Sequence, residues 1–69
     1  MDALYQQKKS ALTRDRIIIA TLECIIEFGY ESTSVAKIAK IAQLSTGAMQ
    51  YHFETKIDAI KAAIEYLHD

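Results

Sequence analysis

Leu44-Ser-Thr-Gly-Ala-Met-Gln-Tyr-His-Phe-Glu-Thr-Lys56 is the stretch of this 69-residue sequence that decides the fold. Its residues Met49 and Phe53 are four positions apart, which puts both on one face of a helix. Ser45 can cap that helix, because a serine oxygen accepts a hydrogen bond from a free N–H group of the first turn. We therefore predict a short amphipathic helix over residues 46–52 that is seated by its inward face.

A second short helix is predicted just before it, over residues 34–42. Thr33 and Ser34 supply a cap. The apolar residues that follow share one helical face: Val35, Ile38, Ala39 and Ala42. Two short helices joined by a turn of about four residues form a helix-turn-helix, whose second helix enters the major groove of DNA. Short helical hairpins also occur in bundles that never bind nucleic acid, so the hairpin alone does not establish DNA binding.

A longer helix is predicted upstream, over about residues 14–29. Thr13 is a candidate N-cap, and residues of one stripe then recur at spacings of three and four: Ile17, Ala20, Thr21, Cys24, Ile25 and Phe28. Gly29 is expected to end the helix, because glycine adopts the left-handed conformation common past a helix terminus. Ile19 and Ile26 lie off this stripe, so they are either incidental exposed residues or a contact with a neighbouring domain or subunit.

The two ends of the chain carry different patterns. Residues 1–12 are polar and mildly basic without a sustained apolar stripe, so they form either an N-terminal arm or an added helical turn. A fourth helix over residues 55–68 is predicted from apolar residues that recur between Ile57 and Leu67. The expected fold is all-α: a three-helix, homeodomain-like helix-turn-helix head over residues 13–54, followed by a connecting helix.

Composition favours a small soluble helical domain. The chain is 51% hydrophobic and 25% charged, without proline or tryptophan. No apolar run approaches the roughly 18 to 20 residues that span a bilayer, and the N-terminal residues lack the apolar core of a secretory signal. We therefore expect a cytoplasmic protein without membrane contact. The single Cys24 cannot form an internal disulfide and is expected to pack as a small apolar residue.

Charge alternates along the chain. The net charge is −1, yet residues 1–16 and 33–56 each carry +2, whereas residues 17–32 carry −3 and residues 57–69 carry −2. If the fold brings the two basic segments together, one face is positive and suits the phosphate backbone of DNA. An ordinary mixed surface is the alternative.

Side chains on the outward face of the hairpin are candidates for DNA contact. Hydroxyl groups near helix N-termini suit phosphate oxygens, lysines add positive charge, and Gln50 can pair with adenine. Gly47 and Ala48 permit close approach to the duplex. For each residue alone, a solvated surface group is the alternative. The candidate DNA-binding residues are Thr33, Ser34, Lys37, Ser45, Thr46, Gly47, Ala48, Gln50, Tyr51, His52 and Lys56.

These motifs resemble those of a known family. From about Thr13 to Ile64, the chain resembles the N-terminal DNA-binding domain of the tetracycline-repressor (TetR) family of bacterial transcriptional regulators. The motifs that carry the resemblance are Gly29-Tyr30, Thr33-Ser34-Val35, Ser45-Thr-Gly-Ala-Met49, Tyr51-His-Phe53 and Thr55-Lys56. The resemblance implies a three-helix head whose third helix reads the major groove. It also implies a fourth helix that leads to a C-terminal domain for ligand binding and dimerisation.

The resemblance assigns roles to individual residues. It implies that Thr33 and Ser34 contact phosphate, that residues 46–48 form the tip of the recognition helix, and that Tyr51 and His52 contact the DNA backbone. It further implies that the lysine at the start of the fourth helix, Lys56, anchors to phosphate.

Three positions depart from the family pattern. Gln43 stands in the turn where the family usually has Gly, so a left-handed conformation there would cost about 1 kcal/mol. Ala48 replaces a common Thr or Ser and loses a hydroxyl contact. Gln50 replaces the usual Tyr, which removes one phosphate contact and offers a base contact instead.

The expected function is sequence-specific binding of double-stranded operator DNA by a transcriptional regulator, most often a repressor. The resemblance implies family members of roughly 200 residues, whereas this chain has 69. We therefore expect an excised head, a truncated regulator or a small stand-alone protein. A homodimer is expected in a full-length context, and no effector ligand, metal or cofactor is expected to bind this segment. The alternative is a protein–protein module that uses Ile19, Ile26 and Ile41, such as a truncated regulator that pairs with a full-length partner. An enzyme is the weakest option, because no nucleophile constellation or metal-ligand spacing is evident.

Overall fold

The computed structural model describes residues 3–68 as four α-helices joined by short turns. These helices are α1 (Ala3–Phe28), α2 (Val35–Ala42), α3 (Thr46–His52) and α4 (Lys56–His68). Within this described range no residue is in a strand. α1 packs against α2 and α4, and α2 packs against α3. The predicted all-α class, with a helix-turn-helix and an additional fourth helix, is confirmed.

α1 is longer than the sequence pattern predicted. It begins at Ala3 rather than near residue 14, so residues 3–12 are part of a 26-residue helix and not an arm. Thr13 is not an N-cap, because it lies within the helix and its Oγ1 donates to the Lys9 carbonyl oxygen at 3.0 Å. The added turns contain no glycine or proline, and their Gln, Lys, Ala and Leu residues favour helix without an apolar stripe.

Gly29 ends α1 as predicted. It adopts a positive φ of 81°, and its N–H donates to the Ile25 carbonyl oxygen at 2.8 Å. The turn that follows is closed by Thr33, whose N–H donates to the Tyr30 carbonyl oxygen at 3.1 Å. The Thr33 Oγ1 donates in turn to the Gly29 carbonyl oxygen at 2.8 Å. These bonds set the direction in which the chain enters α2.

The turn between α2 and α3 is organised around Gln43, which has a left-handed backbone with φ of 61° and ψ of 43°. Its N–H donates to the Lys40 carbonyl oxygen at 3.1 Å, and the Leu44 N–H donates to the Ala39 carbonyl oxygen at 2.8 Å. This pair of bonds is a Schellman motif, in which a left-handed residue satisfies the last carbonyl groups of a helix. A glutamine therefore holds a conformation that favours glycine.

Gln43→Gly is expected to raise the free energy of unfolding by about 1 kcal/mol, because glycine adopts a positive φ without a Cβ clash. Urea unfolding followed by circular dichroism measures the change. Lys61→Gly is the matched control, since Lys61 is exposed within α4, where glycine costs about 1 kcal/mol. Equal destabilisation by the two substitutions would contradict strain at Gln43.

The core contains residues from all four helices. Met49 and Phe53, the predicted inward residues, are both buried, and Cys24 is a buried free thiol. Phe28 departs from the predicted stripe: it is 46% exposed, and the Lys37 ammonium lies 4.8 Å from the centre of its ring. The buried apolar residues are Ile17, Ile18, Ala20, Cys24, Ile38, Ala39, Ala42, Met49, Phe53, Ala59, Ala62 and Ala63.

α4 meets the core through small residues. Its buried residues are Ala59, Ala62 and Ala63. Ile57, Ile64 and Leu67, which belong to the predicted stripe, are each more than half exposed. Alanine side chains allow α1 and α4 to approach closely, so the packing face lies beside the isoleucine stripe and not along it.

A reciprocal capping box begins α4. The Asp58 N–H donates to Thr55 Oγ1 at 3.2 Å, and the Thr55 N–H donates to Asp58 Oδ2 at 3.3 Å. Such a pair satisfies donors that a helix start leaves without partners. α4 therefore begins at Lys56, with three residues between it and the end of α3.

Candidate nucleic-acid interface

α3 is held by one face and exposes the other. Met49 is fully buried. Ser45 Oγ accepts a hydrogen bond from the Ala48 N–H at 3.0 Å, so the predicted N-cap is confirmed. The exposed residues of α3 are Thr46, Gly47, Ala48, Gln50 and Tyr51. This exposed set matches the outward set expected from the sequence.

Gly47 lies in the first turn of α3 with open space around it. A Cβ built at Gly47 would meet no atom within 4 Å, and its φ is not positive. Neither internal packing nor backbone conformation therefore requires glycine here. The absence of a side chain lowers the exposed surface of α3 at Gly47, which permits a second molecule to approach the backbone.

Gln50 is exposed, but its amide is engaged within the chain. Nε2 donates to the Glu54 carbonyl oxygen at 3.2 Å. A hydrogen bond of this kind contributes about 1 kcal/mol net. The amide can therefore exchange this bond for one with another partner at small cost.

Tyr51 and His52 form an edge-to-face pair at the end of α3. Their ring centroids are 5.1 Å apart with an interplanar angle of 83°. Tyr51 is 82% exposed, whereas His52 is partly buried. The pair therefore offers an exposed hydroxyl group and orients the imidazole ring at the rim of the same surface.

Lys56 joins the start of α4 to the turn after α1. Its Nζ donates to the Tyr30 carbonyl oxygen at 2.8 Å and lies 4.1 Å from the centre of the Tyr30 ring. A lysine ammonium has three N–H donors, so two remain for other acceptors. The side chain is thus held in place while it keeps the capacity to bind an anion.

Three of the predicted DNA-binding residues lie at the start of α2, and they differ in exposure: Thr33, Ser34 and Lys37. Ser34 Oγ accepts from the Lys37 N–H at 3.2 Å, which confirms Ser34 as the cap, and Lys37 is exposed. Thr33 is only 3% exposed, and its hydroxyl proton is used by the Gly29 carbonyl oxygen. The prediction that the Thr33 side chain contacts phosphate is therefore wrong, because the side chain closes the turn inside the protein.

Two arginines near the interface were missing from the predicted site. The Arg14 guanidinium lies 5.1 Å from the centre of the Phe53 ring, beside the end of α3. An Arg16 Nη2 donates to the Ala42 carbonyl oxygen at the end of α2, where a cation complements the helix dipole. Their only sequence signal was the basic character of residues 1–16. α1 therefore places positive charge against both helices of the hairpin.

Two kinds of feature are absent from the part of the chain that the structure describes. In the described range, residues 3–68, no helix has the length and apolar character needed to cross a membrane. The same residues contain no group of three or more His, Cys, Asp or Glu side chains that could hold a metal ion.

Comparison with known proteins gives matches over most of the chain. The chain is similar to the HTH-type transcriptional regulator CymR of Pseudomonas putida, with 31% identity over 64 residues, covering 93% of this chain and 32% of CymR. An uncharacterized HTH-type transcriptional regulator of Mycobacterium tuberculosis is 42% identical over 57 residues, covering 83% of this chain and 29% of that protein. The HTH-type transcriptional regulator TtgR of Pseudomonas putida is 33% identical over 57 residues, covering 83% of this chain and 27% of TtgR. No solved structure matches.

The family model described as bacterial regulatory proteins, tetR family, matches residues 17–65. The matched residues contain α2, α3, most of α4 and the part of α1 that enters the core, whereas the first turns of α1 lie before them. The chain spans about a third of the length of the curated relatives it matches. It belongs to the tetR family of bacterial regulatory proteins.

Proposed function

We propose that this chain is the DNA-binding head of a transcriptional repressor and that it binds double-stranded operator DNA sequence-specifically. The observation that carries the proposal is the arrangement of α3, where a fully buried Met49 seats a helix whose exposed face is small at Gly47. A helix presented in this way fits the major groove, while α2 crosses the backbone.

The proposed contacts divide by chemistry. Gly47, Ala48 and Gln50 approach the base edges, because they lie on the exposed face of α3. The phosphate contacts come from hydroxyl groups, an imidazole and lysines around that face, and phosphate contacts fix the register of a protein on the duplex. The proposed phosphate contacts are Ser34, Lys37, Ser45, Thr46, Tyr51, His52 and Lys56.

Pairing completes the proposal. Two copies bind successive major grooves, about 34 to 36 Å apart along the duplex, and their two-fold symmetry requires a palindromic operator. In a full-length regulator, a C-terminal domain would hold the pair together and take the effector ligand. Occupation of a promoter by the pair prevents transcription.

Selection of bound duplexes from random DNA tests the proposed function. Runs at two protein concentrations are expected to enrich one half-site at low concentration and palindromic pairs of it at high concentration. Recovery of unenriched sequence at both concentrations would contradict sequence-specific binding. Association that is insensitive to salt, without DNA affinity, would instead favour a protein–protein module.

Gln50→Ala is expected to relax sequence preference at one base pair, since a bidentate Gln–adenine contact discriminates by about 1–3 kcal/mol. Repeating the selection with the variant measures the change. Gln7→Ala is the control, because Gln7 is also an exposed helical glutamine but lies in α1. An unchanged preference in Gln50→Ala would remove Gln50 from the base-reading residues.

A further inference from the structure

The N-terminal half of α1 and the C-terminal end of α3 flank an open polar cleft. Lys9, Ser10 and Thr13 line it from α1, and Tyr51 and His52 line it from α3. Its volume is about 350 Å³. We call these five residues the α1–α3 cleft. The α1 residues of the cleft precede the segment that the tetR family model matches.

Helix geometry explains why α1 points these side chains at α3. Lys9, Thr13 and Ile17 follow one another at intervals of four residues, so they form one stripe along the helix. Ile17 is fully buried, Thr13 is partly buried and Lys9 is exposed. The stripe that packs into the core therefore continues outward past the end of α3. The hydrogen bond from Thr13 Oγ1 to the Lys9 carbonyl oxygen ties the two turns together.

The chemistry of the cleft suits a phosphate group. Its lining combines an ammonium, three hydroxyl groups and an imidazole, and it includes no carboxylate. Each of these groups can donate a hydrogen bond, and a phosphate oxygen accepts from ammonium and hydroxyl donors. The Thr13 hydroxyl proton is already used by the Lys9 carbonyl oxygen. Lys9 and Ser10 therefore supply the donors from α1, opposite Tyr51 and His52.

Tyr51 belongs to two surfaces at once. It is 82% exposed on the outward face of α3, and it also lines the cleft. A DNA strand that runs along α3 and reaches Tyr51 therefore arrives at the mouth of the cleft. Because Lys9 and Ser10 lie in a helix, their backbone is already ordered before binding, which avoids the entropy cost of ordering a flexible arm.

We propose that the α1–α3 cleft binds a backbone phosphate of the DNA, at the flank of the base pairs that α3 reads, and that Lys9 and Ser10 are the residues of α1 that contact it. This inference rests on the proposed function, since it extends the same interface. Lys9 could instead only complement the negative end of the α3 dipole, and that role would change the stability of the protein but not the salt dependence of DNA binding.

The test compares Lys9→Gln with Lys8→Gln in the 69-residue chain. Lys8 carries the same charge one residue earlier but does not line the cleft. It lies with Leu12 and Arg16 in a neighbouring depression, which Lys9 and Thr13 also border. Binding to a fluorescent duplex of about two helical turns is measured by anisotropy from 50 to 200 mM salt. One lost phosphate contact flattens the slope of log affinity against log salt by about 0.9 and lowers affinity on the order of ten-fold at 50 mM salt.

Lys9→Gln is expected to show this full change, and Lys8→Gln less than half of it. Ser10→Ala is expected to lower affinity several-fold with the slope unchanged, because it removes a neutral donor. Thermal unfolding of each variant checks that the fold is kept. Equal effects of Lys9→Gln and Lys8→Gln, or no effect of Lys9→Gln, would overturn the proposed phosphate contact in the cleft. Either result would leave the proposed function intact. A parent chain that binds no duplex at 50 mM salt would overturn both.

Discussion

Gly47→Glu is expected to weaken duplex binding by roughly 100-fold or more, because a carboxylate set against phosphates costs several kcal/mol. The same substitution is expected to leave the protein slightly more stable. A Cβ at Gly47 meets no atom within 4 Å, and a carboxylate in the first turn of a helix is favourable by about 0.3–1 kcal/mol. The single substitution Gly47→Glu would then weaken DNA binding and stabilise the fold.

Anisotropy with a selected duplex and urea unfolding measure the two effects separately. Leu67→Glu is the matched control, since it adds the same charge at a side chain that is 67% exposed in α4. Leu67 lies about 16 Å along the helix from Lys56, so screening limits its effect on DNA binding to about two-fold. Undiminished binding by Gly47→Glu would contradict insertion of α3 into the major groove.

Ile18→Ala is expected to lower the free energy of unfolding by about 2–5 kcal/mol, because it removes buried methyl groups and leaves a cavity. Ile18 is only 1% exposed in the core. In a domain of this size the loss is a large share of the total stability, which amounts to about 0.05–0.15 kcal/mol per residue. The midpoint of urea unfolding, followed by circular dichroism, measures it.

Ile26→Ala is the control with the same chemical change in the same helix. Ile26 is 83% exposed, so its truncation is expected to change stability by less than about 0.5 kcal/mol. Similar losses in the two variants would contradict the position of Ile18 in the core, or would show that Ile26 is covered in solution. DNA affinity of Ile26→Ala is expected to match that of the parent chain.

The elements around the hairpin could be predicted because each carries a local signal. Ser34 and Ser45 accept from the backbone of their own helices, and such caps depend on neighbours only three residues away. Met49 and Phe53 are buried as their spacing indicated. The resemblance to the family, which usually has Gly at this position, singled out Gln43, whose backbone is left-handed.

Features that depend on a partner helix could not be predicted in this way. The stripe predicted that Ile17 is buried and left Ile19 outside it, but Ile18 is buried as well. α1 packs against both α2 and α4, so the covered side of the helix is wider than the stripe. Thr33 could equally cap a helix or close a turn, and the Gly29 carbonyl oxygen decides in favour of the turn. α1 begins at Ala3 because helix propensity suffices where no apolar stripe exists.

The exposed residues of α3 could be predicted as a set, but the hydrogen bonds that the candidate side chains make within the protein could not. Gln50 and Lys56 were both predicted to contact DNA, and both side chains prove to be hydrogen-bonded to carbonyl oxygens of their own chain. Those acceptors come from backbone geometry, which a pattern of side chains does not encode.

The restraints at the start of α4 have a mechanical consequence. The Lys56–Tyr30 bond ties the first residue of α4 to the turn after α1, and the buried Ala59, Ala62 and Ala63 hold the helix against the core. α4 therefore leaves the head at a set angle instead of swinging on a hinge. In the proposed pair, each α3 would keep a fixed orientation relative to its own α4. A change in the angle between the two α4 helices would then change the distance between the two α3 helices, and with it their fit to successive major grooves.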